Sequence, residues 1–364
     1  MPTIQDVARH AGVSVSTVSN VLNSRGDRMR PETLARVEAA IAHLQFRPSK
    51  LAQQLKTGQT PLIGLLVPSM TNPMYGYIAR EVETFAQELY GYRLLIASTY
   101  RDRDKESAFF DDLLAQGVRR VIVISSLADE RHFESAVERG MAIVSYDRGA
   151  TPGKRSRVSH VMPDNYEAAR MAATHLIGHG HRQLAFVTVA GMTMSRSAKI
   201  DGFMAAADAA GLRASARVLD GGALDEYGDA VIAEVGRATA LKIAAQPAAS
   251  RPTGIVALND LMALGLMAGL REAGLRVPED ISVVGIDGMF LAGLSNPGLT
   301  TVQLPVREMA RAMVEQVMQS PSADGGDGLG QIFMPKLLLE RQSVAPPPGG
   351  KTRATRTRTK TAAP

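Results

Sequence analysis

The 364-residue chain has no cysteine and no tryptophan, and aromatic residues make up only 5% of it. Without cysteine there is no disulfide, no thiol nucleophile and no thiolate-held zinc, a composition that suits a reducing compartment. No apolar run approaches the roughly 20 residues that span a bilayer, so no membrane partner is expected. The opening MPTIQDVARH lacks a basic region followed by an apolar stretch, and no secretory leader is expected either. Phosphate-loop and nucleophile-elbow motifs are missing, and Gly149 to Lys154 only approximates the first. Asp104 with Glu106, and Asp111 with Asp112, read as solvated helix faces rather than acid–base pairs. His175, His179 and His181 have metal-like spacing, but they stand at a helix end where cations suit the dipole. These readings point away from catalysis, and no metal or cofactor is expected.

Hydrophobic residues make up 45% of the chain, enough for a soluble protein with two domains and a substantial core. Charge is placed unevenly. Residues 1–60 hold 8 Lys/Arg and 4 Asp/Glu, residues 345–364 hold 5 and 0, and residues 61–344 hold 28 and 32. Basic ends on a mildly acidic body suggest polyanion contact at the ends. The tail, PPPGGKTRATRTRTKTAAP, cannot bury apolar area and is expected to be disordered, its charges solvated or adding nonspecific DNA affinity. It has no heptad leucines for a tetramerising coil.

The stretch from Thr3 to Asn23 reads as two short helices joined by a turn. Ile4, Val7, Ala8 and Ala11 form one apolar face. Gly12 supplies a residue that tolerates positive φ. In the second helix Val18, Val21 and Leu22 share one side while Ser16, Asn20 and Asn23 point the other way. Short uncharged polar side chains on a packed helix suit base edges in a major groove. An ordinary helical hairpin is the alternative. Pro31 and Glu32 then open a third helix, with Leu34, Val37, Ile41 and Leu44 as its apolar stripe. After Pro48, the segment from Ser49 to Leu55 is too short to persist as a helix alone. Folded on a surface, it places Leu51 and Leu55 on one face beside Lys50 and Lys56, a minor-groove wedge design.

TIQDVARHAGVSVSTVSNVLN, RPETLARVEAAI and FRPSKLAQQLKTGQT resemble the DNA-binding head and hinge of the lactose repressor (LacI/GalR) family of bacterial transcription regulators. The resemblance continues through HLIGHGHRQLAFV, LNDLMALG, GLRVPEDISVVGID and LTTVQLP, covering roughly residues 3–344. It implies a head over 1–46, a hinge folding on DNA over 47–60, a two-lobed effector-binding and dimerisation domain over 61–344, and a tail over 345–364. It implies that Val15, Ser16 and Asn20 read the major groove and that Leu55 intercalates in the minor groove. The full DNA-contacting set expected is Thr3, Ser14, Val15, Ser16, Thr17, Asn20 and Asn23, then Ser49, Lys50, Ala52 and Leu55. Arg30 departs from the family's usual serine cap before the proline.

From Leu62, short apolar runs alternate with helical stretches. Runs at 62–68, 93–98, 121–125, 142–146, 158–162, 184–189, 216–220, 253–258 and 281–286 read as buried strands, with early helices near 73–90, 104–116 and 131–139. So many strands imply two doubly wound parallel sheets. The resemblance implies the same α/β fold, like periplasmic sugar-binding proteins, with crossings between lobes near 160, 290 and 320. Ligands in such sheets sit beyond the carboxyl ends of strands. That rule points to Asn72, Pro73, Met74 and Tyr75, to Ser125 and Ser126, to Asp164 and Asn165, to the loop running to Lys199, to Asn259 and Asp260, and to Asp287. The resemblance implies that Met74 and Tyr75 line one wall, that Asp164 forms the floor and that Asp287 holds ligand groups. The effector-binding set expected is Met74, Tyr75, Ser125, Ser126, Asp164, Ser195, Lys199, Asn259 and Asp287. Each polar one could instead be a helix cap. Two departures from the family are Lys199, where arginine is usual, and Gly288, where a second aspartate is usual. A lysine point charge is compatible with an anionic effector such as a sugar acid.

The reading that follows is a cytoplasmic, nucleoid-associated regulator, expected to be a repressor. It acts as a homodimer on double-stranded, pseudo-palindromic operator DNA and responds to a small-molecule effector. The rivals are a sugar-binding module without DNA function and an enzyme on an α/β scaffold.

Overall fold

The computed structural model describes residues 2–22, 29–46, 60–100, 102–125, 131–146, 157–191, 193–222, 231–319 and 330–349. Asn23, Ser49, Lys50, Ala52, Leu55 and Ser126 lie outside them, as do residues 47–59 of the expected hinge and residues 350–364. The chain divides into two compact units, Met1–Thr60 and Pro61–Pro364.

The first unit holds α1 (Ile4–Ala11), α2 (Val15–Leu22) and α3 (Pro31–His43). Their apolar faces meet in one small core of Val7, Ala8, Ala11, Val18, Val37, Ala40 and Phe46. Phe46, three residues beyond α3, closes this core. Arg30 takes the N-cap position of α3 with no side-chain bond, and Pro31 opens the helix.

The second unit runs in the order β1 (Leu62–Val67), α4 (Pro73–Tyr90), β2 (Arg93–Ser98), α5 (Arg103–Ala115), β3 (Arg120–Ile124), α6 (Arg131–Glu138), β4 (Ala142–Tyr146) and β5 (Ser159–Pro163). It continues with α7 (Asn165–Gly178), β6 (Leu184–Thr188), α8 (Met194–Ala209), β7 (Ala216–Asp220), α9 (Ile232–Ala244), β8 (Gly254–Ala257), α10 (Asp260–Glu272) and β9 (Ser282–Asp287). It ends with α11 (Phe290–Leu294), β10 (Thr300–Gln303), α12 (Val306–Met318), β11 (Gly330–Phe333) and β12 (Leu337–Leu339).

These strands form two six-stranded sheets, in the orders β11-β5-β4-β3-β1-β2 and β12-β10-β9-β8-β6-β7. Every pairing is parallel except β10 with β12. β1 shows why its sequence is apolar throughout. Ile63, Leu65 and Val67 face one core cluster and Leu66 the other, so both faces are covered. In the second lobe, α9 and α10 approach closely through glycines. A Cβ on Gly265 would sit 1.9 Å from the Ala233 carbonyl oxygen, and one on Gly236 2.4 Å from that of Met262.

The chain passes between the lobes at 163–165, as expected, but then at 303–306 and 333–337 rather than near 290 and 320. The second crossing is later because β10 still belongs to the second sheet. The third is later because α12 packs on α4, β3, β4 and β5, and β11 joins the first sheet beside β5. Ala345 is also part of the folded unit, since its carbonyl accepts from His181 Nε2 and Ser282 Oγ. The tail therefore begins later than residue 345.

Candidate functional site

The head positions α2 by local chemistry. Thr3 caps α1 reciprocally: its hydroxyl accepts from the Asp6 amide at 3.3 Å, and its own amide donates to Asp6 Oδ2 at 2.9 Å. The Thr3 bonds hold the Asp6 carboxyl below the usual carboxylate range. Gly12 ends α1 in the left-handed region at φ 63°, and the Val13 amide returns to the Ala8 carbonyl. Arg36, from α3, then donates to the carbonyls of Ala11, at 2.6 and 3.1 Å, and Gly12, at 3.0 Å. A cation thus satisfies the orphan carbonyls of α1 and fixes the turn into α2.

Ser14 starts α2, its hydroxyl accepting from the Thr17 amide and lying near the Ser16 and Thr17 hydroxyls. Val18 is the fully buried residue of α2. Val15 (42% exposed), Ser16 and Asn20 stand on the open face. Of the expected DNA contacts, Thr3, Ser14 and Thr17 thus also hold helix ends, while Val15, Ser16 and Asn20 carry no buried structural duty.

The described effector candidates stand at or beyond the carboxyl ends of β1, β3, β5, β6, β8 and β9 along the chain. The Asp164 amide donates to the Phe333 carbonyl at 2.8 Å, joining the first crossing to the third. The Lys336 amide donates to Gln303 at 2.9 Å, joining the third to the second. Around this seam, Asn72 caps α4, Asp164 caps α7, Thr193 caps α8 and Asn259 caps α10. The cap reading therefore holds for Asp164 and Asn259, each through one acceptor oxygen. Met74 is buried in the core of the first lobe, and Tyr75 packs against it half-exposed. Ser125 is buried at the end of β3, and Ser195 is buried in the first turn of α8.

Two cations share that stretch of α8. Lys199 is buried and its ammonium donates to the Leu258 carbonyl at 3.3 Å, beyond β8. Arg196, which sequence reasoning passed over, is also buried and donates to the carbonyls of Ala190 and Gly191. Asp287 ends β9, buried, at φ 142°, followed by Gly288 at φ 74°. A Cβ on Gly288 would lie 2.8 Å from Gln303 Cα, so a side chain there would not fit this backbone without movement.

The histidine cluster is divided. Burial pushes His181 down to about 4, and it engages Thr253 Oγ1 and the Ala345 carbonyl. Burial, with His179 beside it, also lowers His175. Among the described residues no group of three or more His, Asp or Glu side chains could hold a metal. No described helix is long and apolar enough to cross a membrane.

A three-helix head with an exposed polar helix, followed by a two-lobed α/β unit, matches known proteins over nearly the whole chain. Residues 3–49 match the model for bacterial regulatory proteins of the lacI family, and residues 173–344 match a periplasmic binding protein-like domain. The transcriptional regulator GalS of Salmonella typhimurium is 31% identical over 347 residues, covering 95% of this chain and 97% of GalS. The chain belongs to the LacI family. The transcriptional repressor PurR of Edwardsiella ictaluri, another relative, is 31% identical over 350 residues, covering 96% of this chain and 98% of PurR. A lac repressor dimer bound to operator and the anti-inducer ONPF aligns with a TM-score of 0.78 at 26% identity, covering 94% of this chain and 99% of that one. The regulator CelR in complex with cellobiose aligns at 0.65, again 26% identical, over 94% of this chain and all of CelR. Membership makes this LacI-family chain a transcriptional regulator, with the head as its DNA-binding part.

Proposed function

We propose that this LacI-family protein is a cytoplasmic, non-enzymatic repressor whose operator affinity is set by a small molecule held between the lobes. The observation that carries the reading is the open face of α2, where Val15, Ser16 and Asn20 stand clear on a helix fixed from behind by Val18 and Arg36. In this reading those three side chains select the sequence, and cations elsewhere in the head supply affinity. The lac repressor dimer on its operator supports a homodimer, and hence an operator with two-fold symmetry.

In this reading Ser195, Lys199, Asn259 and Asp287 of the second lobe, with Tyr75, Ser125 and Asp164 at the strand ends of the first, line the ligand site between the lobes. The mixture of buried cation, carboxylate and amide favours a ligand with hydroxyls and an anionic group, such as a sugar or sugar acid. Binding there shifts the angle between the lobes and so the readiness of the hinges to dock. The test is a gel-shift titration of a selected operator against a panel of sugars and sugar acids, with the wild type and Asp287→Ala. The wild type should respond to a member of the panel and the variant should lose the response. An equal response in both places the pocket elsewhere.

A further inference from the structure

Asp260 is the first residue of α10 and is fully buried. Carboxylates are rarely buried without a partner, because taking the charge out of water is expensive. Among the described residues its partners are not cations in contact. The Met289 amide donates to Oδ2 at 2.8 Å, and the Thr301 hydroxyl donates to Oδ1. Thr301 Oγ1 in turn accepts from the Gly288 amide at 3.2 Å. The carboxylate thus grips the loop leaving β9 from one side, directly and through a hydroxyl of β10.

From the other side the Leu304 amide, at the second lobe crossing, donates to the Asp287 carbonyl at 3.3 Å. The loop between these grips holds two successive residues at positive φ, Asp287 and Gly288. A non-glycine residue in that region persists only where its surroundings over-determine it. β9 is adapted to the same group, since a Cβ on Gly285 would stand 2.2 Å from Asp260 Oδ1.

We propose that Asp260 is a positioning residue: its ionised carboxylate holds the Asp287–Met289 loop in its left-handed conformation and ties it to the crossing at Leu304. This deepens the reading of Asp287 as a ligand group and rests on it for its functional meaning. A ligand that pulls on Asp287 then pulls on a strand passing between the lobes, rather than on a free loop. Burial pushes the Asp260 carboxyl up to about 6, while its bonds from Thr301 and Met289, and the field of Arg341, oppose that shift. The charged groups on surrounding elements are Arg341 on the C-terminal segment, Asp287 on β9 and Lys199 on α8, whose ammonium bonds the Leu258 carbonyl.

The experiment is hydrogen–deuterium exchange of peptides spanning 285–292 in the full-length protein, with no ligand added. Asp260→Asn keeps the shape but can accept only through one atom. It should expose the Met289 amide at least about tenfold faster at pH 7.5, with lobe-one peptides unchanged. Thr301→Val keeps the charge, and should loosen the Gly288 amide, left with the Asp260 carboxylate alone, while leaving Met289 protected. Local opening of the loop strips donors from Asp260 while α10 keeps it buried, so the carboxyl protonates more readily in the open loop than in the closed one. Wild-type protection, corrected for intrinsic rates, should therefore fall as pH drops through about 6, and in Asp260→Asn it should be flat. Wild-type protection of Met289 in a folded Asp260→Asn protein, or pH-independent protection in the wild type, overturns the proposal. If Asp260→Asn does not fold, the Thr301→Val pattern and the wild-type pH profile decide. Failure of the pocket reading looks different: Asp287→Ala would leave ligand response unchanged while Asp260→Asn still loosened the loop.

Discussion

Single residues in this protein cap helices at the same strand ends that the pocket reading selects. Asp164 and Asn259 cap α7 and α10 and also stand at strand ends, so the sequence could show where they were but not which duty each carried. A capping oxygen and a ligand-facing oxygen look alike in one letter. Arg196 escaped notice because nothing local distinguishes a buried arginine from a surface one. Two buried titrating groups make the residue scale testable. The native His181 imidazole titrates at about 4, below its ordinary 6.5, so the unfolded chain binds more protons between those values. Its share of stability is full above pH 6.5 and lost as pH falls toward 4, at most about 3 kcal/mol. Asp260 acts in the opposite sense. Raised from 3.8 to about 6, it contributes stability at low pH that is lost as pH rises through 6. Urea midpoints of the two-lobed unit between pH 7.5 and 4.5 should therefore fall gently in the wild type, fall more steeply in Asp260→Asn, and rise in His181→Gln. Parallel pH profiles for all three proteins would contradict both assignments.

Strands with a local apolar run were the legible ones, even at the sheet edges, where β2 and β7 are partly to largely exposed rather than buried as expected. β1 is covered on both sides, and its continuous apolar run announced it. β10, β11 and β12 were not read as strands, because they are three or four residues long and β11 is largely exposed. Their pairing with distant strands defines them, and that is not local information. Misplacing them also misplaced two of the lobe crossings. Two predictions belong to this scale. Arg36→Ala leaves the carbonyls of Ala11 and Gly12 without their cation. The head should lose about 1–2 kcal/mol, read as a lower melting temperature of residues 1–60, and operator affinity should fall with it. Gly265→Ala would ordinarily strengthen a helix by up to about 1 kcal/mol. Here the added Cβ meets the Ala233 backbone, and we expect a loss of about 1–3 kcal/mol in the urea midpoint of the two-lobed unit. A gain would mean α9 and α10 separate more easily than their contact implies.

At the scale of the molecule, the head and the two-lobed unit were both legible. The head showed itself through Gly12 and the polar stripe of α2, the body through its alternation of strands and helices. The pattern of crossings was less legible, yet in the proposed reading it is what would join ligand to output. Three strands pass side by side between the lobes, bonded laterally from Asp164 to Phe333 and from Gln303 to Lys336. A change in lobe angle must flex all three together, which suits a switch with two preferred arrangements. The account as a whole rests on the open face of α2 choosing a DNA sequence. The most direct test is selection from a random duplex pool at about 0.15 M salt, where non-specific phosphate contacts are weakened. Full-length protein should enrich a pseudo-palindromic site that Asn20→Ala, equally folded, no longer enriches. Enrichment of an asymmetric site, or of the same site by the variant, would contradict it.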